Sequence, residues 1–170
     1  GPGTTVTNPQ TGTVFEMREI GAEHAVLRYT MPPKMDKPDI ARHIHFGWHE
    51  DFAVLEGSGT YLLGSETGRV EVGETLAMPE RIPHIHPWNT GDTPMVMDQI
   101  VSLSTGNPNA IRDTLGLIFT LYDWQAQGRI AVDSVGLPRN PIKFARAGRI
   151  FDQGTSYDAR FPVAAQRLAA

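Results

Sequence analysis

From Val14 to Leu103 the apolar residues fall in short runs broken at close intervals by glycine and proline, the patterning of β-strands joined by tight turns. Val14 to Ile20 and His24 to Met31 are β-like runs separated by Gly21-Ala22, and they read as a hairpin. Residues 31–38 carry three prolines, which forbid both a ladder and a helix, so a loop is expected there. Further strands are expected over 41–46, 51–56, 60–63, 68–72, 75–78, 84–88 and 95–103, with Gly57, Gly59, Gly64, Gly68, Gly73 and Gly91 at the turns. Many short strands with close glycine turns indicate a sandwich or barrel. Residues 3–13, rich in Thr, Gly, Asn and Pro, read as an irregular arm.

The period changes after Ser104-Thr105-Gly106. Asn107-Pro108 reads as an N-cap followed by proline at the first helical position. Ile111, Leu115, Ile118, Phe119 and Tyr122 then recur at helical spacing, and Gly128 closes the segment. Asn140-Pro141 repeats the start signal, with Ile142, Ala145, Ile150 and Phe151 as a weaker apolar face. Phe161-Pro162 begins a third helical pattern that stops abruptly at Ala170, which suggests a longer natural chain; Gly1-Pro2 reads as the remnant of a cleaved tag. The organisation expected is an arm over 1–13, a β-domain over 14–105, and two or three helices over 106–170 packed on it.

Composition narrows the function classes. A length of 170 residues suits one domain with a sizeable core. A net charge of −4 argues against a nucleic-acid footprint, which needs a basic patch. The absence of cysteine excludes disulfides and a thiolate site. No apolar run approaches the roughly 20 residues of a membrane span, and the N-terminus lacks the apolar stretch of a signal peptide. A cytoplasmic protein with no nucleic-acid or membrane partner is expected.

The chemistry is concentrated in two short runs. Five of the six histidines (His43, His45, His49, His84 and His86) lie in them, and His24 stands apart. His43 and His45, at i and i+2, share one face of a strand, so both imidazoles can enter one cavity. Glu50 follows a short turn and can offer a carboxylate from the neighbouring wall. Neutral imidazole with carboxylate is the ligand set of a borderline divalent transition metal such as iron, manganese, nickel, cobalt or zinc. The second run ends in His84-Ile85-His86, again with both rings on one face.

Together the two runs resemble the paired motifs of the cupin family. His43, His45, Glu50 and Gly57 follow that family's H-x-H-x4-E-x6-G spacing. Gly73, Pro79 and His84 follow G-x5-P-x-G-x2-H-x3-N, except that Arg81 stands in place of Gly and Asn89 falls one residue late, with Trp88 at its place. Lys37 replaces the Gly expected six residues before His43. The resemblance covers roughly residues 40–105. It implies an all-β protein, a cupin-type antiparallel β-barrel (double-stranded β-helix or jelly roll), here with two or three C-terminal α-helices. It also implies one metal held by three histidines and a glutamate, iron being foremost, and a homodimer.

His84 keeps the spacing from Gly73 and Pro79, so His43, His45, Glu50 and His84 are the expected ligands. His86 and His49 are then candidate acid/base groups, since a neutral imidazole suits proton transfer near neutral pH. Phe46, Trp48 and Trp88 flank the histidines and could line a substrate pocket. The stripe Lys143, Arg146 and Arg149 reads as a solvated helix face. The function expected is a metal-dependent enzyme acting on a small, largely apolar organic molecule, with an oxygenase slightly ahead. A non-redox isomerase, cyclase or lyase is the alternative, and a ligand-binding module without turnover is a third reading.

Overall fold

In the computed structural model, which describes residues 1–104 and 106–170, the strands assemble into two antiparallel sheets. Their elements are β1 (Thr5–Thr7), β2 (Val14–Ile20), β3 (His24–Met31), β4 (His43–His45), β5 (Trp48–Glu56), β6 (Ser58–Leu63), β7 (Glu66–Glu71), β8 (Thr75–Met78), β9 (His84–Trp88), β10 (Met95–Leu103) and β11 (Ser156–Asp158). Three helices follow the tenth strand: α1 (Ala110–Ala126), α2 (Pro141–Gln153) and α3 (Val163–Ala169). One sheet has the order β1-β2-β3-β10-β5-β8 and the other β11-β4-β9-β6-β7. The expected barrel is thus a two-sheet jelly roll, in which no strand pairing joins the sheets among the described residues. The boundary expected at residue 105 lies outside the described residues.

Side-chain alternation on the long strands sets the core. On β5, Trp48, Glu50, Phe52 and Val54 are buried, and on β10 Met95, Met97, Gln99, Val101 and Leu103 are buried. All six methionines are buried, so flexible side chains fill the irregular space inside the jelly roll. The arm expected to be irregular carries β1, whose Thr-Val-Thr sequence favours an extended edge strand and pairs Val6 with Phe15. Beyond it, Asn8 is buried and its side chain ties the arm to Asp39.

The helices belong to the same body. Ile111, Leu115 and Tyr122 of α1 join the hydrophobic cluster formed by Phe15, Tyr29, Phe52 and Met97. Tyr122 stacks on Phe15 with ring centroids 5.3 Å apart. α1 starts at Ala110, two residues later than the Asn-Pro signal placed it, because Asn107 uses its side chain to cap a turn at Asn109. The start of α2 is as expected, with Asn140 accepting from the backbone N–H groups of Ile142 and Lys143. At its other end a Cβ on Gly154 would fall 1.7 Å from Thr114 Oγ1, so glycine permits the close approach of α2 to α1. β11, a short strand between α2 and α3 that the sequence pattern does not signal, pairs with β4 and brings Ser156 opposite His45.

Candidate metal centre

β4 and β9 are antiparallel neighbours with His43 directly opposite His84. Each H-x-H run therefore presents both imidazoles to the interior, and β5 supplies Glu50 from the other sheet. All five side chains are buried, and one donor atom from each lies within 4.8 Å of the rest. Oε2 of Glu50 is 3.0 Å from Nε2 of His84 and of His86, and 3.5 Å from Nε2 of His45. Nε2 of His43 is 3.1 Å from Nε2 of His86.

Hydrogen bonds behind the rings decide which atoms face inward. His43 Nδ1 donates to the carbonyl of Ala41 (2.7 Å) and His84 Nδ1 to that of Ile82 (2.8 Å). A carbonyl only accepts, so Nδ1 carries the proton and Nε2 of the neutral ring turns a lone pair toward the centre. His45 Nδ1 is held 2.9 Å from Ser156 Oγ. Trp48 Nε1 (3.0 Å) and Gln99 Nε2 (2.6 Å) both donate to Oε1 of Glu50, leaving Oε2 to the histidines. Tyr29 in turn donates to Oε1 of Gln99 at 2.7 Å. Lone pairs from separate residues thus converge, and Nε2 of His45 has no hydrogen-bond partner among the described residues. Ligands bound at about 2.0–2.2 Å stand roughly 3 Å from their neighbours, as do the pairs His84–Glu50, His86–Glu50 and His43–His86 here. The cluster fits a divalent metal ion.

The electrostatics favour neutral rings at His43 and His45 beside an ionised Glu50. Burial, reinforced by His86, His84 and His45, holds His43 well below the usual imidazole range. Burial also lowers His45, with Glu50 opposing it. For His84 burial is outweighed by the hydrogen bond and charge of Glu50, and its basicity rises. Burial pushes Glu50 up, but the surrounding histidines, His86 first, hold it well below the carboxylate range.

A family model for the cupin domain matches residues 27–103. Over that stretch the chain has the cupin jelly-roll fold. Similar solved structures include an uncharacterized conserved protein with a double-stranded beta-helix domain from Klebsiella pneumoniae, with 18% identity over 59% of this chain and 85% of that one and a TM-score of 0.49. An RmlC-like cupin from Shewanella frigidimarina gives 13% identity over 59% and 85% of the two chains, with a TM-score of 0.48. A sugar phosphate isomerase from a cupin superfamily, from Silicibacter pomeroyi, gives 17% identity over 54% and 59%, with a TM-score of 0.44. Among curated proteins, none matches this sequence.

Of the departures from the cupin motifs, Arg81 is accommodated at a backbone cost and the delay of Asn89 has a structural cause. Arg81, where the motif has glycine, adopts φ +67°, the left-handed region that favours glycine. On β9, three residue steps from Ile85 to Trp88 are matched by two on β6 from Leu62 to Thr60. The extra residue forms a β-bulge beside Pro87, which has no N–H to leave unpaired. Asn89 is delayed by that one residue and still reaches its anchoring place, donating to the carbonyls of Pro32 (3.0 Å) and Thr93 (2.7 Å).

Of the other residues singled out in the sequence, His49 is not at the centre. β5 begins at Trp48, so Trp48 and Glu50 point inward while His49 points outward and sits 3.2 Å from Asp51. His24 is half-exposed beside Glu19. His86 lies in the donor cluster together with His84, so the structure sets both side by side. Trp48 stacks on His45 and lines the adjoining cavity. Phe46 instead packs against Tyr157 and Arg81, and Trp88, displaced by the bulge, packs on the hydrophobic core. Gln99 and Ser156, which fix Glu50 and His45, lie outside the sequence motifs; a lone glutamine at an inward position of β10 is the available signal.

Beside the cluster is a cavity of about 380 Å³. His43, His45, Glu50 and His86 form one part of its lining, and α1, α2 and α3 form another through apolar residues such as Leu115, Ile118, Phe144 and Phe151. No helix among the described residues is long and apolar enough to cross a membrane.

Proposed function

We propose that this cupin is a metal-dependent enzyme that acts on a small, largely apolar organic molecule, with oxygenase chemistry foremost. The observation that carries the reading is the convergence of five buried donors at the edge of an apolar cavity large enough for a small molecule. His43, His45, His84 and Glu50 would hold the ion, with His86 as a further donor, and iron is the expected metal. When bound, it would supply Lewis-acid polarisation of a substrate oxygen and one-electron chemistry with dioxygen.

The protein's own contribution is preorganisation. The carbonyls of Ala41 and Ile82 fix two imidazoles in one tautomer, and Trp48 with Gln99 fixes the carboxylate. Apolar helix residues shield the cluster from bulk water, and Trp48 offers an aromatic face to a ligand beside His45. With His49 outside, only His86, where it is not itself bound to the ion, is left of the acid/base pair that would favour non-redox chemistry.

The test begins with metal analysis of purified protein and of His43→Ala. One metal per chain in the parent and none in the variant is expected, together with oxygen uptake when a panel of hydroxylated aromatic and alicyclic compounds is added. Turnover persisting under strict anaerobiosis with zinc in place of iron would replace the oxygenase by a metal-assisted isomerase or cyclase. A parent protein that retains no metal after supplementation would favour a binding module.

A further inference from the structure

Besides Glu50, the cavity is lined by the carboxyl groups of Asp39, Asp152 and Asp158, none of them a cupin-motif position. Asp39 lies in the proline-rich loop over 32–42 and lines the same cavity as His86. Its Oδ1 accepts from Asn8 Nδ2 at 2.9 Å and from the Thr11 hydroxyl. Asn8 is itself rigid: it is buried, its Oδ1 accepts from Gln10 N at 3.0 Å, and its backbone accepts from Gly12 N at 2.9 Å. The arm therefore orients Asp39 through one oxygen. The other oxygen, Oδ2, is buried without a hydrogen-bond partner among the described residues. A buried carboxylate oxygen left unpaired is costly, so such an atom beside a cavity indicates a ligand that donates to it. His86 Nδ1, on the cluster side, is likewise buried and unpaired.

We propose that Asp39 anchors the substrate by accepting a hydrogen bond from a hydroxyl or N–H group through Oδ2. Resting on the reading of the cavity as a substrate site, this narrows the substrate to an apolar molecule that carries such a donor. Asp39 does not touch the cluster's donor atoms closely enough to hydrogen-bond them, so its role is recognition and orientation of the ligand.

A matched pair of probes tests the proposal. 4-Methylphenol and 4-methylanisole share an apolar ring and differ in the hydroxyl proton. Their affinities are measured by ligand-observed NMR at neutral pH, where the phenol keeps its proton, on protein as purified and again after chelator treatment, with metal content determined on each sample. The wild type is expected to prefer methylphenol by about tenfold or more, the size of one hydrogen bond to a charged acceptor. Asp39→Asn keeps an oxygen for Asn8 and Thr11 but turns an amide donor toward the cavity, so the preference should vanish while methylanisole binding is retained. Asp39→Ala should lose the preference in the same way, which covers a failure of the first variant to fold. No preference in the wild type, or an undiminished preference in either folded variant, would overturn the proposal. Absence of metal from the purified wild type would instead count against the metal-enzyme reading, because the Asp39 comparison is made with and without metal.

Discussion

Nε2 of His84 lies 3.0 Å from Oε2 of Glu50 while Nδ1 of the same ring donates to the carbonyl of Ile82. A neutral His84 therefore turns a lone pair toward a carboxylate oxygen, which is repulsive unless a proton or a cation lies between them. His86 makes the same 3.0 Å approach to the same oxygen. One proton satisfies one such contact; a metal ion satisfies all of them together. The metal-free cluster should consequently be sensitive to protons, and metal should compete with them.

Acid should destabilise the metal-free protein. Burial holds the native pKa values of His43 and His45 below the ordinary imidazole value, so the unfolded chain binds more protons once the pH drops below about 6.5. Their contribution is complete above that value and is lost as pH falls toward the native values. His84, raised by Glu50, has the opposite sign: its contribution is present below about 6.5 and fades as pH rises through its native value. Two lowered rings, one of them well below range, outweigh one raised ring. In chelator, the melting temperature is expected to fall between about pH 7 and pH 5, and metal affinity to fall in the same window. A melting temperature that rises on acidification would show that the cluster is built to hold protons.

Gln99 is a positioning residue for the ligand set. Its amide donates to Glu50 at 2.6 Å and its carbonyl accepts from Tyr29, so it fixes the carboxylate without reaching the metal position. Gln99→Leu should weaken metal binding by about 10–100-fold, the usual cost of losing such a partner. Competition with a chromophoric chelator measures it, and circular dichroism establishes that the variant is folded. Unchanged affinity would mean that Trp48 alone positions Glu50.

How much was legible in the sequence follows from how local each feature is. The spacing of His43, His45 and Glu50 and the strands over 14–20, 24–31 and 95–103 were readable because period-2 patterning is a property of neighbours in the chain. The side on which His49 falls depended on whether β5 starts at residue 48 or 51, and it starts at Trp48. The bulge that displaces Trp88 is a mismatch between two strands, and neither strand alone reveals it. β11 exists because a short segment between two helices finds the free edge of β4, some 110 residues earlier in the chain, as the contact of Ser156 with His45 shows (|i−j| = 111). Asp39 gave no signal, since a lone aspartate in a proline-rich loop is ordinary until the N-terminal arm pins one of its oxygens.

Arg81 carries removable strain. A non-glycine residue at φ +67° costs roughly 1–2 kcal/mol. In partial return the guanidinium lies 5.5 Å from the ring centre of Phe46, an exposed cation–π contact worth about 0.5–1 kcal/mol. Arg81→Gly, which restores the motif residue, is expected to stabilise the protein by up to about 1 kcal/mol, while Arg81→Ala keeps the strain and loses the contact. Denaturant midpoints of the two variants should fall on opposite sides of the parent. If both are destabilised, the Phe46 contact outweighs the backbone cost.

The last prediction separates a helix that belongs to the core from one laid upon it. Ile111, in the first turn of α1, is fully buried and clusters with Met97 and Phe52 of the jelly roll, whereas Ile142, in the first turn of α2, is 65% exposed. Both are isoleucines near a helix start, so propensity changes are comparable and burial is the difference between them. Ile111→Ala removes buried methyl groups and leaves a cavity that the surrounding strands cannot fully close, at a cost of about 2–5 kcal/mol. Ile142→Ala should remain within about 0.5 kcal/mol of the parent. Chemical denaturation with the slope held in common gives both values. Because α1 also walls the cavity through Leu115 and Ile118, the first variant should lose ligand affinity along with stability, while the second should lose neither. Equal, small effects from the two substitutions would mean that α1 frays away from the jelly roll in solution and that the cavity is open on that side.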